Sequence, residues 1–154
     1  MRLRVGLHRS RGILSSLIKW QTRSEYSHAS LVLPDDSLLE ALQGHGVIHS
    51  RTLAEMRDPV DVYALPDLDD IAHANALEFA RQQLGKPYDY LMVARFVTRR
   101  QETRRTSGKW FCSELVYAAF AFGALRSLLH PVNVEPWQVS PETLSYSPLL
   151  VRVP

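Results

Sequence analysis

Arg2 to Leu7 alternates basic and apolar side chains with a period of two, the pattern of a strand with one buried face. Gly12 then opens Ile13-Leu14-Ser15-Ser16-Leu17-Ile18, whose apolar spacing predicts a short helix running to about Thr22. Ser27 to Leu33 and Ser37 to Leu42 read as two strands of a β-hairpin turning at Pro34-Asp35-Asp36. After the break at Gly44-His45-Gly46, Val47-Ile48 predicts a short strand or the start of one, and Thr52 to Arg57 a helical turn. Val60 to Leu65 alternates again and is closed by Pro66, which predicts a further strand.

The second half is helical in pattern. Asp69 can cap a helix to about Leu84, with Ile71, Ala74, Leu77, Phe79 and Ala80 as its apolar stripe, and Gly85 stops it. Pro87 can open another helix from Tyr88 to about Thr98. Arg99 to Lys109 is polar and contains Ser107-Gly108, which predicts a mobile loop. Phe111 to Phe122 is apolar on nearly every side and predicts a buried central helix. Ser140-Pro141-Glu142 starts a last helical turn, and Leu149 to Val153 predicts a closing edge strand. The fold class expected is α+β, a small, mostly antiparallel sheet packed against helices, in a single domain spanning residues 1–154.

Composition adds bounds. A net charge of +2 and a pI near 8.9 are too mild to argue for nucleic acid without a recognition motif, and none is visible. One cysteine allows no internal disulfide and no metal site built on paired thiolates. No cofactor is expected. The start lacks the apolar core and cleavage site of a secretory signal, and Leu115 to Leu129 is too short to span a bilayer, so the expectation is a cytoplasmic protein. The basic run from Arg95 to Lys109 is a candidate for contact with an anionic substrate or an anionic lipid surface.

Chemistry concentrates on the single cysteine. Cys112 is expected at the start of the buried helix, where unpaired N–H groups and partial positive charge favour a thiolate. Its backbone N–H can also serve an oxyanion hole. His28 is the best base, because a strand is a rigid platform for a group that must reach sulfur. The other histidines fit less well: His8 at a strand end, His45 and His49 in turn-like segments, His73 on a solvated helix face, His130 before a proline. Glu40 is the candidate for orienting the imidazole. A three-residue loop at Pro34-Asp35-Asp36 puts His28 and Glu40 on one face as diagonal neighbours; a two-residue loop puts them on opposite faces.

Gly85-Lys86-Pro87-Tyr88 followed by Cys112-Ser113-Glu114-Leu115-Val116 resembles the G-x-P-Y … C-S-x-L-V pattern of NlpC-type cysteine peptidases. There the histidine follows the cysteine; here His28 precedes it, in Thr22-Arg23-Ser24-Glu25-Tyr26-Ser27-His28-Ala29. That order is similar to the circularly permuted branch, including the YiiX-like proteins and, more distantly, the lecithin–retinol acyltransferase group. The likeness runs from about Gly12 to Val151, with Trp137 to Leu144 and Ser147 to Leu150 resembling the closing segment.

The resemblance implies a papain-like fold with Cys112 as nucleophile, His28 as general base and Glu40 as orienting acid. The acyltransferase group has a second histidine where Glu40 stands, so the chain resembles the YiiX-like side more. Tyr88, from the G-x-P-Y motif, is a candidate oxyanion or substrate contact, and Tyr26 and Ser113 are further candidates beside the base and the nucleophile. The function expected is a cysteine hydrolase, amidase or peptidase, acting through a thioester on a small amide or peptide-like substrate. The alternatives are a lipid acyltransferase or thioesterase using the same site, and a non-catalytic module that binds a peptide or acyl group.

Overall fold

The computed structural model describes residues 2–98, 108–132 and 134–154. The alternating segments of the first half pair into one antiparallel sheet. Its strands are β1 (Arg4–His8), β2 (His28–Val32), β3 (Ser37–Leu42), β4 (Gly46–Thr52) and β5 (Val60–Ala64), with β6 (Val151–Arg152) from the chain's end. The spatial order is β4-β3-β2-β1-β5-β6, so strands from the two terminal regions flank β5. The mildly alternating end thus does form an edge strand, shorter than expected. β4 is a full strand rather than a fragment, and His49 lies on it, bonded to the Ser37 hydroxyl, rather than in a turn.

The hairpin register is set by its loop. Leu31 faces Leu39 and Val32 faces Leu38, and the Leu33 N–H donates to the Ser37 carbonyl across three loop residues. Asp36 takes a left-handed backbone (φ 64°), which Asp tolerates better than most residues, and Asp35 accepts from the Ser37 N–H and hydroxyl.

One phase of the strands, including Val5, Leu7, Ala29, Leu31, Leu39, Ala41 and Val47, joins the hydrophobic core. The other phase of β1 to β3 carries Gly6, His8, His28, Ser30 and Glu40, which form a polar set.

Five helices accompany the sheet: α1 (Ile13–Thr22), α2 (Asp70–Arg81), α3 (Tyr90–Thr98), α4 (Cys112–Ala118) and α5 (Pro141–Ser145). Every residue of α4 is buried, which is why its sequence shows no polar face. The expected single helix to Phe122 instead widens into a π turn at Ala119–Gly123. Gly123 sits where a Cβ would lie 2.7 Å from the Asn75 carbonyl oxygen, so the missing side chain lets α2 approach the π turn.

α2 is rotated from expectation. Its buried residues are His73, Ala76, Leu77 and Ala80, while Ile71 is 71% exposed. His73 is therefore not on a solvated face: it is buried and accepts the Leu3 N–H at its Nδ1 (3.2 Å).

α3 starts two residues later than expected. Pro87 and Tyr88 stay extended beside Trp110, whose N–H donates to the Pro87 carbonyl and whose carbonyl accepts from the Asp89 N–H, and the Asp89 carboxylate caps the helix through the Met92 N–H (3.0 Å). The predicted loop from Arg99 falls outside the described residues except at its end, Gly108 and Lys109; so does most of the basic run from Arg95 proposed for lipid contact. Among the described residues no helix is long and apolar enough to cross a membrane.

Candidate active site

Cys112 occupies the first position of α4, after Phe111. Phe111 offers no side-chain acceptor, but its N–H donates to the carboxylate of Glu114, three residues on, which closes half of a capping box. The helix start is placed against β2. There the β2–β3 ladder pairs only Leu31 with Leu39 and Val32 with Leu38, and beyond that stretch the Ala29 N–H is turned to the Cys112 sulfur. The Ser113 N–H donates to the same sulfur. Two backbone donors and the helix start thus surround a thiol that is 2% exposed.

His28 stands at the first residue of β2, between this thiol and Glu40. Its Nε2 lies 2.5 Å from a Glu40 carboxylate oxygen, and the other oxygen accepts from the Ser50 hydroxyl (2.5 Å). Glu40 is buried, so it is not a solvent-facing residue of an edge. With Nε2 committed to Glu40, Nδ1 is the nitrogen left for sulfur.

The electrostatics follow from this sandwich. Burial opposes charge on His28, but the sulfur's charge and hydrogen bond, followed by those of Glu40, overcome it and raise the imidazole to about 10. Burial pushes the Cys112 thiol up, and the His28 charge, its hydrogen bond and the two backbone N–H groups pull it below its ordinary value. Burial likewise works against ionising Glu40, yet bonding to His28 and Ser50 brings it down to about 2. The favoured state is a thiolate–imidazolium pair backed by a carboxylate.

His8 is a member of this cluster that its strand-end position did not reveal. Fully buried, it meets the His28 ring edge-on with centroids 4.9 Å apart, and its Nε2 bonds the Ser30 hydroxyl (2.7 Å). Gly6 makes room for that bond, since a Cβ there would lie 2.8 Å from the Ser30 oxygen. Burial, then the neighbouring His28 charge, lowers His8 to about 3, so it is neutral wherever the site works. What brings it into the cluster is its direct pairing opposite His28 in the antiparallel register.

The remaining sequence candidates separate. Tyr88 is 8% exposed and stacks edge-on with Tyr90 at 5.0 Å. It borders both the small apolar gap beside Cys112 and the larger cleft beside His28. Burial, then the charge of Cys112, raises its phenol, keeping it a hydrogen-bond donor. Tyr26 is elsewhere: its hydroxyl donates to Asp61 (2.6 Å), in a network with Tyr63, Arg9 and Arg152 on the β5 side of the sheet. Sequence adjacency to His28 placed it on the wrong side of the strand. The Ser113 hydroxyl is spent on the Val139 carbonyl (2.7 Å), so only its backbone N–H serves the site.

A metal could draw on His8, His28 and Glu40, which each offer one donor atom within 4.8 Å of the others. The atoms are already engaged, His8 with Ser30 and His28 with Glu40, so a cation here would have to break the bond that orients His28.

A buried helix that presents cysteine to an antiparallel sheet carrying histidine and an acid defines a papain-like α+β arrangement with the sheet residues first in the chain. The family described as permuted papain-like amidase enzyme, YaeF/YiiX, C92 family, matches residues 7–152, and the chain belongs to that family. Among solved structures it is similar to one described as metalloprotein yiiX from Escherichia coli O157:H7. The TM-score is 0.77 at 17% identity, over 100% of this chain and 96% of that one. No curated protein matches the sequence.

Proposed function

We propose that the protein is a thiol-dependent amidase in which Cys112 is the nucleophile, His28 the proton carrier and Glu40 the orienting acid. The observation that carries the reading is His28 held between Glu40 and the sulfur, with the thiol pulled below and the imidazole above their ordinary values.

The thiolate of Cys112 attacks the amide carbonyl, forming a C–S bond and moving the π electrons to oxygen. The Cys112 N–H has no partner within the helix, and with the Tyr88 hydroxyl it supplies donors for that oxyanion. Collapse breaks the C–N bond while the His28 imidazolium gives its proton to the leaving nitrogen. Neutral His28 then takes a proton from water, which attacks the thioester. The C–S bond breaks, a carboxylic acid leaves, and the thiolate–imidazolium pair is restored. An acyl acceptor other than water would resolve the same thioester by the same route.

The His8, His28 and Glu40 donors favour a second role for this face, capture of a divalent cation. The similar yiiX structure is described as a metalloprotein. Because binding would consume the His28–Glu40 bond, such a cation acts here as an inhibitor rather than a cofactor.

The test is turnover of a panel of N-acyl amides, read by release of the amine. Activity that disappears in Cys112→Ala while the variant keeps its thermal unfolding transition supports the proposal. Activity that persists in Cys112→Ala contradicts it.

A further inference from the structure

The surroundings of the thiol differ on its two sides. Beside Cys112 itself, Ile18, Val93, Phe111 and Pro141 leave an apolar gap of about 10 Å³, roughly the space of one water. On the His28 side a cleft of about 320 Å³ opens, with His28, Glu40 and His8 lining it together with Arg11, Arg51 and Arg57.

The charges in that cleft do not cancel. Glu40 is engaged by His28 and Ser50. Asp58 is engaged by Arg11, through its backbone N–H at 3.3 Å and its guanidinium at 3.9 Å. Glu55, near Arg51, is tied to the Thr52 N–H and hydroxyl at 2.7 and 3.0 Å. Arg51 and Arg57 are exposed and have no carboxylate partner among the described residues. The field of Arg51 reaches the cleft's interior, where it acts on His8.

The reaction decides which part of a substrate meets these guanidinium groups. The imidazolium that protonates the leaving nitrogen must face it, so the leaving amine lies on the His28 side of the sulfur. We propose that the leaving amine carries a carboxylate held by Arg51 and Arg57, which makes the substrate class an α-amido carboxylate, an N-acylated amino acid or the C-terminal residue of a short peptide. This deepens the amidase reading and rests on it. Guanidinium groups suit the ligand because they meet a carboxylate through paired N–H donors, and an open cleft of one sign draws an anion in.

Cys112 is the single cysteine, so alkylation probes the site without a substrate. The rates of iodoacetate and iodoacetamide are compared for the native protein, for Arg51→Gln/Arg57→Gln and for glutathione. The expected result is an iodoacetate-to-iodoacetamide ratio roughly tenfold above that of glutathione, falling by most of that factor in the double variant. The substrate arms pair an N-acyl amino acid with its carboxamide, and a dipeptide with its C-terminal amide. The acid is expected to have the higher kcat/KM in at least one pair, and the pair that discriminates identifies the source. A native ratio that the double variant leaves unchanged, with no preference for either acid, would overturn the inference while leaving the nucleophile intact. If both reagents react no faster than with a buried, unactivated thiol, the amidase reading falls and this inference with it.

Discussion

His28 and Glu40 sit on neighbouring strands, twelve positions apart, and share a 2.5 Å hydrogen bond because a three-residue loop sets their register. Glu40 gives the imidazole both direction and charge. In Glu40→Gln the acceptor remains and the charge is lost. We expect kcat/KM to fall about 100-fold on any amide the enzyme turns over, with the His28 limb of the pH profile moving to lower pH. An unchanged profile would mean that Glu40 is only a packing residue.

Acid should destabilise the fold through two groups of this cluster. Glu40 is held at about 2 against an ordinary 4.5, so its stabilisation is complete above 4.5 and is lost as pH falls toward 2. His8 stays neutral down to about 3 against an ordinary 6.5, so the unfolded chain takes its proton first and stability declines from 6.5 downward. Each proton contributes a slope of about 1.4 kcal/mol per pH unit within its window. Urea unfolding between pH 7 and 3, in buffers spanning about four units, should give a flatter decline for His8→Gln than for the native protein. Parallel declines would contradict a buried neutral His8.

Tyr88 borders the gap beside Cys112, where the proposed route places the oxyanion. Tyr88→Phe keeps the ring and removes the donor, so kcat should fall by about 10- to 100-fold with KM little changed. A rise in KM alone would make it a substrate contact instead.

Zinc should inhibit. Its binding to His8, His28 and Glu40 breaks the His28–Glu40 bond that orients the imidazole toward sulfur, whereas the proposed thioester route requires no cation. Micromolar Zn²⁺ is expected to stop turnover reversibly, and EDTA alone to leave it unchanged. Loss of activity on exhaustive chelation, restored by a defined metal, would reverse that assignment.

The local rules that pointed to Cys112, His28 and Glu40 as candidates were those with few alternatives. Period-two patterning gave β2 and β3 and left two loop lengths open, and the three-residue loop of the structure is the one that puts His28 and Glu40 on one face. His8 escaped because its importance depends on β1 lying beside β2, a long-range pairing that no local period reports. Tyr26 was misplaced for the converse reason: it is two residues from His28 in the chain, but Asp61 on β5 draws its hydroxyl away. The face of α2 was misjudged because Ile71 looked apolar enough to be inside, while tertiary packing buries His73. The end of α4 shows the same limit, since the approach of α2 at Gly123 accompanies a π turn that the apolar sequence does not announce.

The most direct test of the account is the pH dependence of Cys112 alkylation by iodoacetamide, in the native protein and in His28→Ala. The pairing with His28 predicts a rate that stays high well below the ordinary thiol range near pH 8.5, and a midpoint that returns toward that range in the variant. A native midpoint at or above the ordinary value, indifferent to His28, would contradict the thiolate–imidazolium pair.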